Sequence, residues 1–252
     1  TVRVGFHRYT FPENQKSGVL INLSGKLGPC KMKNGQLEQV DKRSLSGSVV
    51  NGSTMRRPKE ATVYFHIKFS TDIENITETG DIKQSIIELA GQPQEVLMKV
   101  GISYVSAEQA KLNLETELSH WDFDKIVQQS EDEWSEHLSR IKISGGTEKA
   151  QRRFYTDLWH ALQGRRIISD VNGKYMNNTG AKPVVRQIPL DENGKPKYNH
   201  HNSDSFWGAQ WTIQTLWHLA YPERSSDFCN SLITYYKDGG LIPRGPSGGN
   251  YT

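Results

Sequence analysis

The sequence VGISYVSAEQAKLNLETEL, residues 100–118, contains the point at which the pattern of apolar residues changes from that of a strand to that of a helix. Its first part continues an alternation of apolar side chains that begins at Val96. Ser106 and Gln109 then have the spacing of a capping box at the start of a helix. We therefore expect strands before residue 106 and helices after it.

The part of the chain before this point has the periodicity of antiparallel strands. Apolar residues alternate with polar ones in short segments, and Asn34-Gly35 and Asn51-Gly52 supply turn signals between them. Each strand would bury one face. We predict an N-terminal β-sandwich over residues 1–105.

The rest of the chain has helical spacing. Asp122 and Thr147 are in position to cap a second and a third helix, and Gly239-Gly240 should end a later one. Two or three helices cannot bury their own apolar faces, so they are typical of the start of a larger toroid or bundle. We predict a helical linker over residues 106–146 and the first helices of a toroid or bundle over residues 147–252, with the β-sandwich and the helical domain both incomplete.

The most unusual composition lies in residues 202–219, NSDSFWGAQWTIQTLWHL, which follow a long excursion rich in Gly, Pro and Asn. A helix carrying Trp207 and Trp211 beside Gln210 and Gln214 would present flat apolar rings next to amide groups. That combination suits the apolar face and the hydroxyls of a sugar. The alternative is a helix that is apolar because it is buried.

The composition excludes other classes of protein. The 31 basic and 28 acidic residues are spread along the chain, so no basic block predicts binding to nucleic acid or to a membrane surface. No apolar stretch is long enough to span a membrane. Arg165-Arg166 is interpreted as part of a solvated face or of local ion pairs.

The adjacent histidines His200 and His201 are a weak metal signal. Neighbouring side chains point in different directions, and no second pair of ligands follows at zinc-site spacing. They are interpreted as loop histidines, and we expect no metal ligand within this chain.

Six ordered stretches resemble glycoside hydrolase family 92. No single stretch decides the matter, but their order agrees with the predicted domains. They are VGISYVSAEQAKLNLETEL, WDFDKIVQQSEDEW, FYTDLWHAL, DVNGKY, DSFWGAQWTIQTLWHLAYPE and YYKDGGLIPRGPSGGNY.

The resemblance implies that residues 147–252 are the start of an (α/α)6 barrel. It also implies a calcium-dependent, inverting exo-α-mannosidase that acts on the α-mannosides of glycans and is periplasmic or extracellular. It also implies that the catalytic carboxylates and the Ca²⁺ ligands follow Thr252. An inverting enzyme holds two carboxyl groups about 6.5–9.5 Å apart, with a water beside one of them. We therefore expect this chain to be a fragment, incomplete at both ends and inactive alone.

Part of the substrate-binding surface should lie within the chain. By resemblance, Trp207 matches a sugar-binding tryptophan, whereas Gly208 stands where the family has an aspartate and Trp211 stands near its arginine. Asp204 could supply the missing carboxylate or could cap the helix. Gln210 would add an amide to the same surface.

The loop PRGPSGGNY, residues 243–251, also departs from the family pattern. Arg244 would recognise a phosphate, sulfate or carboxylate on the substrate, or would bond to backbone carbonyls of its own loop. Asn250 is a further candidate for substrate binding.

Two other functions remain open on the sequence. One is a related (α/α)6 glycosidase or phosphorylase. The other is a non-catalytic carbohydrate-binding protein in which Gly208 marks a decayed site.

Overall fold

The computed structural model describes residues 1–55, 58–79, 84–203, 209–243 and 245. Within these residues no helix combines the length and the apolar character needed to cross a membrane. The nine strands up to residue 103 are β1 (Val4–Thr10), β2 (Ser17–Asn22), β3 (Lys26–Leu27), β4 (Cys30–Asp41), β5 (Ser44–Asn51), β6 (Ala61–Phe69), β7 (Ile73–Thr79), β8 (Gln84–Leu89) and β9 (Glu95–Ser103).

These strands form two antiparallel sheets among the described residues. The larger has the order β1-β9-β6-β5-β4-β3, and the smaller has the order β2-β8-β7. Strands distant in sequence therefore lie side by side, as β6 and β9 do, with Phe65 opposite Ile102.

The main apolar core lies between the two sheets. Leu45, Phe65 and Phe69 come from the larger sheet, and Ile87 and Leu89 come from the smaller one. Because successive side chains of a strand point to opposite faces, the alternation in β6 places these aromatic rings inward. The predicted β-sandwich is confirmed.

Two linker helices follow, α1 (Ala107–Glu117) and α2 (Phe123–Ser139). The Ser106 side chain accepts a hydrogen bond from the Gln109 backbone, and Asp122 accepts one from Lys125, so both predicted caps are confirmed. Helix α1 packs on the outer face of the larger sheet. It can approach β9 closely because Gly101 has no Cβ.

The helical part continues with α3 (Glu148–Leu162), capped by Thr147 as predicted. Four short strands come next: β10 (Arg165–Ile167), β11 (Lys174–Asn177), β12 (Val184–Gln187) and β13 (His201–Ser203). A 3-10 helix (Ala209–Trp211), α4 (Ile213–Ala220) and α5 (Pro222–Gly239) complete the described elements, and Gly240 ends α5 with a φ of 78°. The predicted order of a β-sandwich followed by helices is confirmed.

One predicted element is wrong in its extent. A helix was expected to carry Gln210 and Trp211 near its start, with Asp204 as a candidate cap. Among the described residues, Ala209–Trp211 form a 3-10 helix instead, and α4 begins at Ile213.

Candidate functional site

The long segment after α3 begins with β10 and ends with β13, and these two strands pair antiparallel. Arg165 lies opposite Ser203 and Ile167 lies opposite His201, while β11 and β12 form a separate hairpin between them. The three residues of β13 are all buried. Residues 204–208 follow this strand in the sequence and lie outside the described residues.

His200 packs against two tyrosine rings. The centroids of the Tyr175 and Tyr235 rings lie 4.5 and 4.7 Å from that of its imidazole, and its side chain is 1% exposed or less. Burial lowers the pKa of His200 to about 3, so the ring is neutral at physiological pH. His200 lies in a loop, as interpreted from the sequence, whereas His201 belongs to β13, so that interpretation is wrong for His201.

His201 points elsewhere and is also buried, at 2% exposure. Burial lowers its pKa to about 4, although the Asp227 carboxylate lies 4.0 Å from Nε2 and opposes that shift. Among the described residues, neither ring nitrogen of His201 has a hydrogen-bond partner. The residue is therefore a neutral, buried group with both donor and acceptor capacity unused.

Arg165 was interpreted from the sequence as part of a solvated face or of a local ion pair, but its guanidinium packs on aromatic rings. The guanidinium carbon lies 3.9 Å from the centroid of the Phe228 ring and 4.8 Å from that of Trp217. Nη2 donates to Oε1 of Gln214, whereas Nη1 is buried and has no hydrogen-bond partner among the described residues. Burial lowers the pKa of Arg165 to about 10, which leaves it charged at neutral pH.

Gln214 connects Arg165 to the helix pair α4 and α5. The Oε1 atom of Gln214 accepts a hydrogen bond from Arg165. The Nε2 atom of Gln214 therefore donates to Nε2 of His218, 2.8 Å away. Nδ1 of His218 then carries the ring proton and donates to Oγ of Ser225, 2.7 Å away. In this arrangement His218 cannot accept a proton from Ser225 at Nδ1, so the pair is a structural link and not an activated nucleophile.

A cavity of about 690 Å³ opens between the linker helices and this cluster. We call it the linker cavity. Its wall combines aromatic rings with charged groups. Prominent lining residues are Glu117, Glu133, Arg165, His201, Trp217 and Tyr221.

A second buried network ties the cavity wall to the β-sandwich. The Asp170 carboxylate accepts from Oγ of Ser103 at 2.9 Å and from Nδ2 of Asn113 at 2.7 Å. Burial raises its pKa, and the two hydrogen bonds oppose that rise. Arg3 pairs with Glu117 at 2.7 Å and also donates to the backbone oxygen of Ser169. Sheet, linker and helical region are thereby joined through polar contacts.

Most of the substrate-binding residues predicted from the sequence lie outside the described residues. Asp204, Trp207, Gly208, Arg244 and Asn250 lie outside the described residues. Gln210 belongs to the 3-10 helix, and only its backbone is described. Trp211 is 80% exposed, so within the described residues it does not line a closed sugar pocket.

Sequence reasoning missed the cluster that the structure does assemble, centred on Arg165 and His201. The aromatic partners come from α4 and α5, more than 50 residues away, and local pattern cannot indicate them.

Two sequence-family comparisons cover nearly all of the chain. Residues 1–103 match the glycosyl hydrolase family 92 N-terminal domain, and residues 109–252 match the glycosyl hydrolase family 92 catalytic domain. The chain belongs to glycosyl hydrolase family 92. The resemblance stated from the sequence is confirmed.

Solved family 92 structures share the fold. A family GH92 alpha-mannosidase from Bacteroides thetaiotaomicron matches with a TM-score of 0.85 at 21% identity, over 100% of this chain and 35% of that protein. A family GH92 inverting mannosidase from B. thetaiotaomicron VPI-5482 matches with a TM-score of 0.78 at 19% identity, over 99% and 34% of the two chains. The family 92 chain thus spans about a third of the length of these structures.

A sequence relative is an uncharacterized secreted glycosidase of Arthroderma benhamiae. It is 32% identical over 74 residues, which are 28% of this chain and 10% of that protein. The aligned part is short, so it supports a relationship between the two proteins and nothing more.

The calcium expected for the family was tested against the residues present. Ca²⁺ takes about six to eight oxygen ligands, several of them carboxylates. In the part of the chain that the structure describes, no three His, Cys, Asp or Glu side chains gather to hold a metal ion. The described residues therefore do not fit a calcium site.

Proposed function

We propose that the whole protein of which this chain is a part is a glycoside hydrolase that removes terminal α-mannose from glycans, with inversion and with calcium dependence. The observation that carries the proposal is the ordered match of both family 92 domains over residues 1–103 and 109–252. The alpha-mannosidase and inverting mannosidase among the structural neighbours support the substrate and the stereochemistry.

The described residues would contribute positioning. In the sequence, β13 precedes residues 204–208, and the 3-10 helix and α4 follow them. Arg165 links these two described flanks, because it pairs with Ser203 in the strand register and donates to Gln214 of α4.

The catalytic acid, the catalytic base and the calcium ligands are proposed to lie outside residues 1–252. A secretory or periplasmic location is proposed with them, and the word "secreted" in the description of the Arthroderma benhamiae relative supports it. The isolated chain is then expected to hydrolyse no mannoside, whereas the whole protein does so.

The test is a panel of α-linked mannobioses with the full-length protein, with and without a calcium chelator. Release of mannose that stops on chelation and returns with added Ca²⁺ supports the proposal. Mannose release that the chelator does not affect would contradict the proposed calcium dependence. Cleavage only in the presence of inorganic phosphate would assign a phosphorylase instead.

The sequence at Gly208 favours one alternative, a carbohydrate-binding protein without activity. A carboxylate would accept hydroxyl hydrogen bonds strongly, and glycine offers no side chain there. Binding of mannobiose without hydrolysis of any linkage would support this alternative. A Gly208→Asp variant that then acquires activity would locate the defect.

A further inference from the structure

A small cavity lies between β6 of the sandwich and the β11–β12 hairpin of the helical region. Its volume is about 140 Å³, and we call it the hairpin cavity. Ligand sites are frequent at such boundaries between domains. The exposed residues Glu60 and Pro183 belong to its wall, so the cavity opens to the surface. Its lining also includes Thr62, Tyr64, Tyr104, Ile168, Met176 and Asn178.

The turn that carries Asn178 is held in place from two sides. Nζ of Lys59, in the sandwich, donates to the three backbone carbonyl oxygens of residues 178–180 over 2.5–3.2 Å. The hydroxyl of Thr179 donates to the carbonyl oxygen of Asp238, in α5, at 3.0 Å. The position of the turn is therefore fixed before any ligand binds, which reduces the entropy lost on binding.

The side-chain amide of Asn178 is left open in this fixed turn. The residue is 7% exposed, yet its amide forms no hydrogen bond with another described residue. Neither amide atom is sealed in the interior, so both keep access to the space beside the residue. Asn178 lines the hairpin cavity, and its amide thus gives the cavity wall an open donor and an open acceptor.

The other polar groups of the wall are neutral hydroxyls. Those of Thr62 and Tyr64 form no hydrogen bond with another described residue, and neither oxygen is sealed in the interior. Burial raises the pKa of Tyr104, so its hydroxyl stays protonated at neutral pH. Amides and hydroxyls both donate and accept hydrogen bonds, and the hydroxyls of a ligand need both kinds of partner.

The described wall offers no unpaired charge to an ionic ligand. Glu60 is the one carboxylate among the described lining residues, and it pairs with Lys33. Ile168 and Met176 add aliphatic surface. A cavity of about 150 Å³ can hold one six-membered ring. The hairpin cavity therefore suits a single neutral ring that carries hydroxyl groups.

We propose that the hairpin cavity binds one neutral pyranose unit of a glycan, with the sugar hydroxyls on the Asn178 amide and the Tyr64 hydroxyl and the ring against Ile168 and Met176. The proposal gives the described residues a part in holding the glycan. The match to a neutral hydroxylated ring depends on the wall alone, whereas the choice of a sugar as that ring rests on the proposed glycosidase function.

The test is hydrogen–deuterium exchange of the full-length protein, read by mass spectrometry, with methyl α-mannopyranoside as the probe. Sorbitol at the same concentration is the control, because it offers hydroxyls without a ring. A mannoside concentration of about ten times Kd should slow exchange in β6 and in the β11–β12 hairpin by up to about tenfold. Equal slowing by sorbitol, slowing confined to other segments, or no slowing at tens of millimolar would each overturn the proposal.

Two variants assign this protection to the cavity wall. Asn178→Ala removes the amide but keeps the backbone carbonyl that Lys59 binds, and Tyr64→Phe removes a hydroxyl alone. Each should weaken binding of the mannoside by about three- to tenfold, the contribution of one neutral hydrogen bond. Tyr236→Phe is the matched control, since Tyr236 is 55% exposed on α5. Wild-type affinity in a folded Asn178→Ala or Tyr64→Phe variant would contradict the proposal.

Hydrolysis of mannobiose by the wild-type protein is measured separately from this protection. Protection that depends on Asn178, without hydrolysis of any linkage, would remove the proposed glycosidase function and leave the cavity site standing. Hydrolysis without protection of β6 and the hairpin would overturn the cavity site and leave the glycosidase function standing.

Discussion

Nδ2 of Asn113 donates a hydrogen bond to Oδ1 of Asp170 over 2.7 Å, in the buried space between the linker helix α1 and the loop after β10. The same amide group also receives the backbone N–H of Val171 at Oδ1, 2.9 Å away. One side chain of the linker thus fixes the position of the helical region against the sheet.

Replacing Asn113 with alanine should destabilise the protein strongly. The change leaves Asp170 without one donor and Val171 N–H without its acceptor, and each orphaned buried group costs about 1–3 kcal/mol. Thermal unfolding of the full-length protein measures the loss. Asn193→Ala, in an exposed turn, is the control and should leave the transition unchanged. An unchanged unfolding transition in Asn113→Ala would show that these two hydrogen bonds of Asn113 do not stabilise the protein.

Gly101 should not tolerate a side chain. A Cβ at this position would overlap the carbonyl oxygen of Ala110 and would lie 2.8 Å from Cβ of Leu114, so α1 would be pushed away from β9. We expect Gly101→Ala to cost about 1–3 kcal/mol in the free energy of unfolding. Gly164→Ala meets no atom within 4 Å and serves as the control. Equal midpoints of denaturation for the two variants would refute the close packing.

Lys99 predicts a dependence of stability on pH. Its side chain is 2% exposed, and burial lowers its pKa from 10.5 to about 8, even though Nζ donates to the Leu118 carbonyl oxygen and lies 4.1 Å from the centroid of Trp121. Between pH 8 and pH 10.5 the unfolded chain then holds more protons at this site than the folded one. The penalty of burying the charge is present in full below pH 8 and disappears as the pH rises through that window.

The measurement compares wild type with Lys99→Met from pH 7 to pH 10. The stability of the wild type relative to the variant should increase with pH. Lys149→Met, an exposed replacement, corrects for general effects of losing one charge. A relative stability that falls with pH would mean that the carbonyl oxygen and the indole ring hold the Lys99 pKa above 10.5.

Local signals made the start of each early helix predictable. The Ser106, Asp122 and Thr147 caps act within three residues of themselves, and all three are formed. The alternation in β6 likewise places Phe65 and Phe69 in the sandwich core, because its period is a property of the strand alone.

Contacts between distant residues were not predictable in the same way. The pairing of Arg165 with Ser203 joins residues 38 positions apart, and no local pattern indicates it. The burial of Arg165 depends on rings from α4 and α5. For most of the predicted sugar-binding residues, including Trp207 and Gly208, the assignment stays a prediction from the family resemblance.

The most direct test of the family 92 glycosidase proposal is the configuration of the first sugar released. Proton NMR of α-mannobiose hydrolysis by the full-length protein resolves the two anomers before they equilibrate. The proposal predicts β-mannose as the first product, because an inverting enzyme delivers water to the face opposite the leaving group. Initial release of α-mannose, or no release from any linkage, would contradict it.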